Sequence, residues 1–212
     1  MPIGIPSTED AAPRLCSATM KHLQSGGWYG KFTRASIESI RVRGPIPNGS
    51  AQDHVRVKMQ FERVFAVPRT QLFAFHENPD NLALLLRGWT AFRMIANDGH
   101  IRVGSITRVE ERIGPVRVAM TFEHFVYEPP SRFGERQIRG PFAMFEHIHE
   151  FLPAESGTIL RDRIDVRLPW YLGGSLTVKL FVAPKLRRFF AFRHAELQRL
   201  VRERVVDPRK TS

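Results

Sequence analysis

A chain of 212 residues is long enough for one well-cored domain with an appendage and too short for two full domains. A hydrophobic fraction of 42% and a charged fraction of 25% exclude wholesale disorder, and sixteen Phe against three Tyr suit a large apolar interior or the wall of an apolar cavity. The formal charge of +11 favours anionic partners at long range, yet the arginines are spread over strand outer faces and the last helix, without a compact run or an RNA-binding motif, which argues against nucleic acid.

A single cysteine, Cys16, forbids an internal disulfide and fits a reducing compartment. No stretch approaches the length of a membrane-spanning helix, and the first thirty residues lack the apolar core of a signal peptide, so the expected address is the cytoplasm.

Residues 1–52 carry scattered Gly, Pro and Ser without a sustained apolar period and are expected to be an N-terminal extension. Ala35 to Val42 is the one short strand candidate there. A chain begun upstream of its natural start would show the same composition, with Met59 as a natural beginning. The folded domain is expected over residues 53–206, followed by a tail at 207–212.

From Val55 to Val67, β-branched and aromatic residues read as a strand, and Pro68 opens a short helix through Leu72, Phe73 and Phe75. Asn78-Pro79 breaks it, and a second short helix, NLALLLRGW, follows. Six strands come next: Thr90 to Ala96, His100 to Arg112, Val116 to Tyr127, Phe133 to Arg139, Phe142 to Phe151 and Thr158 to Leu168. The turn signals between them suggest an antiparallel meander. The segment Val182 to Val206 is helical by period. Leu186, Phe189, Phe190, Leu197, Leu200 and Val201 share a stripe, and Arg193 lies inside it and should need a partner. Pro184 either begins this helix or kinks a longer one starting near Ser175.

Alternation places Phe145, His147, His149 and Phe151 on one face of their strand, and Leu160, Asp162, Ile164, Val166 and Leu168 on one face of the next. A hairpin closing over Pro153 to Ser156 would set His147 opposite Asp162. The inward set is then Phe133, Glu135, Gln137, Phe145, His147, His149, Asp162 and Ile164, with Phe189 and Arg193 approaching from the helix.

Three readings of this set stay open. It is a buried polar network in which Arg193 pairs with Glu135 or Asp162; it is the polar end of a ligand pocket; or it is catalytic, with His147 backed by Asp162 as general base and Arg193 stabilising an oxyanion. His147 and His149 at i and i+2 could ligate zinc, but strand histidines are more often hydrogen-bonded core residues, and neither a metal nor another cofactor is expected.

The segments PRTQLFAFHENPDNL, EPPSRFGERQIRGPFAMFEHIHEF, GTILRDRIDVRLPW and RRFFAFRHAEL, spread from Val55 to Val206, resemble the START-like, or SRPBCC, superfamily, and in detail its bacterial ligand-binding proteins of the polyketide cyclase/dehydrase-like group. The family's usual Trp beside the paired histidines stands as Phe145, and its customary Tyr before the Leu-Pro turn as Val166. The resemblance implies an α+β helix-grip (START/Bet v 1-like) fold: a curved antiparallel sheet of six to seven strands wrapped on a long C-terminal helix, with two short helices after the first strand. It implies an internal cavity that binds, and in some relatives transports, a hydrophobic small molecule or lipid. A cyclase or dehydratase-like enzyme is the first alternative, and a basic protein acting at a membrane surface or nucleic acid the second, with Arg187, Arg188, Arg199 and Arg202 able to hold the protein against an anionic membrane.

Overall fold

The computed structural model describes residues 34–42, 55–169, 171 and 174–206. Eight strands form one antiparallel sheet: β1 (Arg34–Val42), β2 (Val55–Phe65), β3 (Phe92–Asn97), β4 (Ile106–Ile113), β5 (Val116–Glu128), β6 (Arg132–Arg139), β7 (Met144–Ala154) and β8 (Gly157–Arg167). Their spatial order is β1-β2-β8-β7-β6-β5-β4-β3. Strands β2 to β8 are the seven expected in the domain, and β1, at the short strand candidate of residues 35–42, adds an edge beside β2. Helices α1 (Arg69–Glu77) and α2 (Asn81–Leu85) follow β2, and α3 (Gly174–Thr177) leads into the long C-terminal helix α4 (Ala183–Arg202). The order and the curved sheet against one long helix are the helix-grip fold.

Between α3 and α4, Val178–Val182 forms a π-helical turn closed by the Ala183 N–H on the Val178 carbonyl. Pro184 explains it. Proline has no N–H to give and its ring would collide with the carbonyl four residues back, so the helix widens just before it rather than breaking. Pro184 therefore sits inside one continuous helical run that begins at Gly174.

Helix α4 is held by its apolar stripe. Phe190 stacks on Phe61 of β2 with ring centroids 4.4 Å apart, inside a cluster with Val57, Met59, Ile164 and Val166. A second cluster packs Phe73 of α1 against Phe133 and Phe151 and continues to Leu197 and Leu200. The outer face of the sheet is polar, and several of its arginines are matched across strands: Arg161 with Glu62, Arg56 with Asp165, Arg136 with Glu123. Such partly exposed pairs contribute about 0–1 kcal/mol each. They show that much of the basic charge on this face is locally compensated. On α4, Arg199 is tied to Glu196 and Glu203. No helix among the described residues is long and apolar enough to cross a membrane.

Two local expectations differ from the structure. Residues 100–105 are not strand: Gly104 takes φ +89°, the Ser105 hydroxyl bonds the Arg102 carbonyl, and the Asp98 carboxylate takes the Ile106 N–H. Side-chain capping and a left-handed glycine convert this apolar stretch into a turn. The β7–β8 hairpin is also tighter than the predicted closure over Pro153 to Ser156, since Ala154 still pairs with Gly157. Pro153 lies past the last β6–β7 pair, Arg132 with Glu150, where that edge of β7 has no ladder to lose.

Gly157 is required at this corner. Its φ is +135°, and a Cβ there would lie 2.2 Å from the Phe65 carbonyl oxygen at the end of β2. Gly157→Ala is expected to cost about 1–3 kcal/mol for the backbone region alone, with the overlap adding to it. Chemical denaturation checks this; an unchanged midpoint would mean that the corner relaxes freely.

Candidate functional site

The tighter hairpin moves the register by two residues. His149, not His147, stands opposite Asp162, while His147 stands opposite Ile164. Alternation is unaffected, so His147, His149 and Asp162 all face inward, at 4%, 3% and 0% exposure. His147 still reaches the carboxylate diagonally, its Nε2 donating to Asp162 Oδ1 at 3.0 Å.

Asp162 collects a third imidazole from α4, where His194 Nε2 donates to Oδ2 at 2.7 Å. His149 Nδ1 lies 2.6 Å from Oδ1, but at an angle that leaves it without a proper hydrogen bond. One buried carboxylate thus faces three imidazoles. Burial opposes its charge, yet the surrounding imidazoles, with hydrogen bonds from His147 and His194, hold its pKa well below the carboxylate range.

His147 is clamped from both sides. Its Nδ1 faces Glu135 Oε1 of β6 at 3.3 Å while its Nε2 faces Asp162. Burial favours the neutral ring, but bonds to two carboxylates outweigh it and raise the pKa. The same contact, with the charges of His124 and His147, overcomes burial and lowers Glu135 to about 2. His149 goes the other way: burial first, then the charges of His147 and Arg193, push it well below its usual value and keep it neutral.

Among the described residues five of the chain's eight histidines are buried, and all five lie in this region, including His76 of α1 and His124 of β5. His76 Nδ1 bonds the Leu72 carbonyl at 2.8 Å, and His124 Nδ1 lies 3.2 Å from the Ser105 carbonyl. His76, His124 and His194 escaped the sequence reading, although each had a periodic signal. His124 continues the buried alternation of Met120 and Phe122, His76 follows Leu72 by four, and His194 follows Phe190 by four.

Arg193 enters the interior as expected, at 5% exposure. Its expected ion pair is not formed among the described residues, and its Nε has no hydrogen-bond partner. Asp162 is unavailable because imidazoles already crowd both of its oxygens. A pocket of about 50 Å³ adjoins this guanidinium, lined at its polar end by His76, Thr107, His124, Glu135, His149 and Arg193. Leu82, Leu85, Met94, Ile101 and Phe133 add apolar wall, with Pro79 and Asn81 beside them. His76 Nε2 is also buried without a partner.

Of the ten sequence-predicted positions, Phe133, Glu135, His149 and Arg193 line this pocket. His147 and Asp162 stand behind it as the network that fixes His149. Gln137 bonds the Phe142 carbonyl, Phe145 packs on Phe122 and Phe142, Ile164 belongs to the β2–β8 core, and Phe189 packs on Trp89. Both ring nitrogens of His147 face carboxylates, Glu135 and Asp162.

His76 gives the site a measurable pH signature. Burial, reinforced by the charge of Arg193, lowers its pKa to about 3. The neutral ring is kept in the folded chain while the unfolded chain takes up a proton near 6.5, so its contribution is complete above about 6.5 and is lost as pH falls toward 3. The loss is about 1.4 kcal/mol per pH unit in that window. Denaturation midpoints at pH 7.5 and 5.5 should separate less in His76→Gln than in wild type. Equal separations would mean that His76 titrates normally. The raised His147 acts with the opposite sign, its contribution fading as pH rises, and is common to both proteins.

A helix-grip scaffold with a polar centre buried between sheet and helix defines the class. Residues 65–191 match the family described as polyketide cyclase / dehydrase and lipid transport, and the chain belongs to that family. No curated protein matches the sequence. Among solved structures, a Rhodobacter sphaeroides protein is 21% identical with a TM-score of 0.52, over 78% of this chain and 99% of its own. A Rhizobium leguminosarum protein is 13% identical with a TM-score of 0.56, over 73% and 99%. A Thermus thermophilus protein is 17% identical with a TM-score of 0.55, over 67% and 94%. At these identities the likeness is one of fold.

Proposed function

We propose that the protein binds a hydrophobic small molecule whose polar end, carrying an acceptor oxygen such as a carboxylate or ketone, seats beside Arg193. Family membership supports hydrophobic ligand binding in general. The observation that carries the finer reading is the Arg193 Nε, buried in the pocket wall without a partner. A donor left unsatisfied in the interior costs roughly 1–3 kcal/mol, more when charged, and a ligand oxygen would recover that cost.

The size of the pocket sets the seating. About 50 Å³ admits a compact polar group rather than a whole lipid, for which sites of roughly 300–1,000 Å³ are usual. The polar end enters first, and the hydrocarbon runs outward past Leu82, Leu85, Met94 and Ile101 at α2, β3 and the turn before β4. The route runs along α2, a helix of only five residues.

Native mass spectrometry of protein purified from its own host, together with calorimetric titration of medium-chain fatty acids, tests the reading. A retained apolar molecule or saturable binding is the expected result. Neither retention nor binding for any chain length would overturn it.

A further inference from the structure

Glu135, His147 and His149 each bring one ligand atom to within 4.8 Å of the others, with Glu135 and His149 in the pocket wall and His147 behind them. We infer that these three residues form a mononuclear transition-metal site of the two-histidine, one-carboxylate type, selective for zinc or a similar ion, with its open position toward the pocket. Two imidazoles and a carboxylate suit zinc, iron or cobalt and not magnesium or calcium, which prefer oxygen alone.

The surroundings are those a metal centre uses. A ligating histidine ordinarily gives its second N–H to a carboxylate or carbonyl, which fixes the ring and raises its basicity. His147 does this with Asp162 at 3.0 Å, leaving Nδ1 directed at Glu135. The neighbouring His124 is held in the same manner, Nδ1 on the Ser105 carbonyl at 3.2 Å, with Nε2 4.0 Å from the second oxygen of Glu135. That last distance is too long for a hydrogen bond and suits two groups facing one cation or a water bound to it.

A purely structural ion pair between His147 and Glu135 leaves one feature unexplained. The rings of His147 and His149 lie 3.9 Å apart, both buried, and His149 makes no proper hydrogen bond at Nδ1 despite its closeness to Asp162. Two packed imidazoles cannot both carry a proton cheaply, whereas one divalent ion serves both with neutral rings. Metal entry then displaces the proton shared by His147 Nδ1 and Glu135. Glu135 and His149 line the pocket, which gives the ion a path in and room for water or a ligand oxygen in the open position.

The test uses the full chain without a polyhistidine tag, carrying Cys16→Ser to remove thiol coordination, stripped with chelator and desalted. Titrated with Co²⁺ alone, it should take up one equivalent with visible d–d absorption, and Zn²⁺ should displace the colour. Zn²⁺ should perturb the imidazole resonances of His147 and His149 and leave the exposed His100 unmoved. Glu135→Gln and His149→Phe should each weaken uptake at least ten-fold, and His100→Ala should not change it. The absence of d–d absorption, or of any imidazole shift at His147 and His149, overturns the inference, and so does unchanged uptake in folded Glu135→Gln and His149→Phe. The imidazole spectra decide the matter on the unsubstituted site if either variant fails to fold. Because metal alone is the probe, the result is independent of whether a hydrophobic ligand binds.

Discussion

Asp162→Ala should lose about 3–5 kcal/mol of stability, the range for breaking a buried charge pair by removing one partner. The carboxylate is fully buried, accepts from His147 Nε2 at 3.0 Å, anchors His194 of α4 at 2.7 Å, and faces His149. Without it, His147 depends on Glu135 alone, His194 loses its acceptor across the sheet–helix contact, and a void opens at the centre of β8. Asp162→Asn is expected to lose less but still to destabilise, since its one oxygen cannot accept from all the donors and its amide adds two more. Urea denaturation followed by circular dichroism checks both. Wild-type midpoints in both variants would mean that water enters freely and the network is not a structural centre.

Arg193→Met should behave in the opposite way. The guanidinium is buried, its Nε is unpartnered, and no carboxylate pairs with it among the described residues. Replacing such a group by an unbranched apolar chain of similar length removes a desolvated charge and keeps the packing, so stability should stay within about 1 kcal/mol of wild type or rise. Ligand binding should suffer. A charge-assisted hydrogen bond to a ligand oxygen is worth about 1.5–3 kcal/mol, which corresponds to roughly a 10–100-fold loss in affinity for a fatty acid. Calorimetry of the variant with dodecanoate measures it. A variant that unfolds while its residual folded fraction binds normally would make Arg193 a structural residue and leave the proposed seating without its anchor.

The contrast between these two residues shows what the sequence could carry. A period of two is fixed by the pleat, so the inward direction of His147, His149 and Asp162 was legible, and the helical stripe placed Arg193 inside for the same reason. Their partners were not. A hairpin two residues tighter than expected set His149 rather than His147 opposite Asp162, because Pro153 reads as a breaker although it stands on an edge that β6 has already left. The three further buried histidines come from α1, β5 and α4, and only the closed fold brings them to one place. Their periodic signals said that they point inward, not that they converge. Arg193 was expected to pair with Glu135 or Asp162 and pairs with neither among the described residues; His194, one residue further along the same helix, reaches Asp162 instead.

The filling of the interior was the least legible part. Sixteen Phe suggested either a wide apolar chamber or a packed core, and composition cannot choose between them. The rings of Phe61 and Phe190 stack, and those of Phe73, Phe133 and Phe151 meet edge to face or tilted. What the described residues leave beside Arg193 is a compact polar recess with an apolar approach, a shape set by side-chain packing rather than by periodicity.

The most direct test is a titration of ¹⁵N-labelled full-length protein with dodecanoate, followed by two-dimensional NMR. Saturable shifts centred on His76, Thr107, His149 and Arg193, fading outward through Leu82 and Met94, are the predicted result. Spectra that do not change, or shifts confined to the outer face of the sheet, would contradict binding in this pocket.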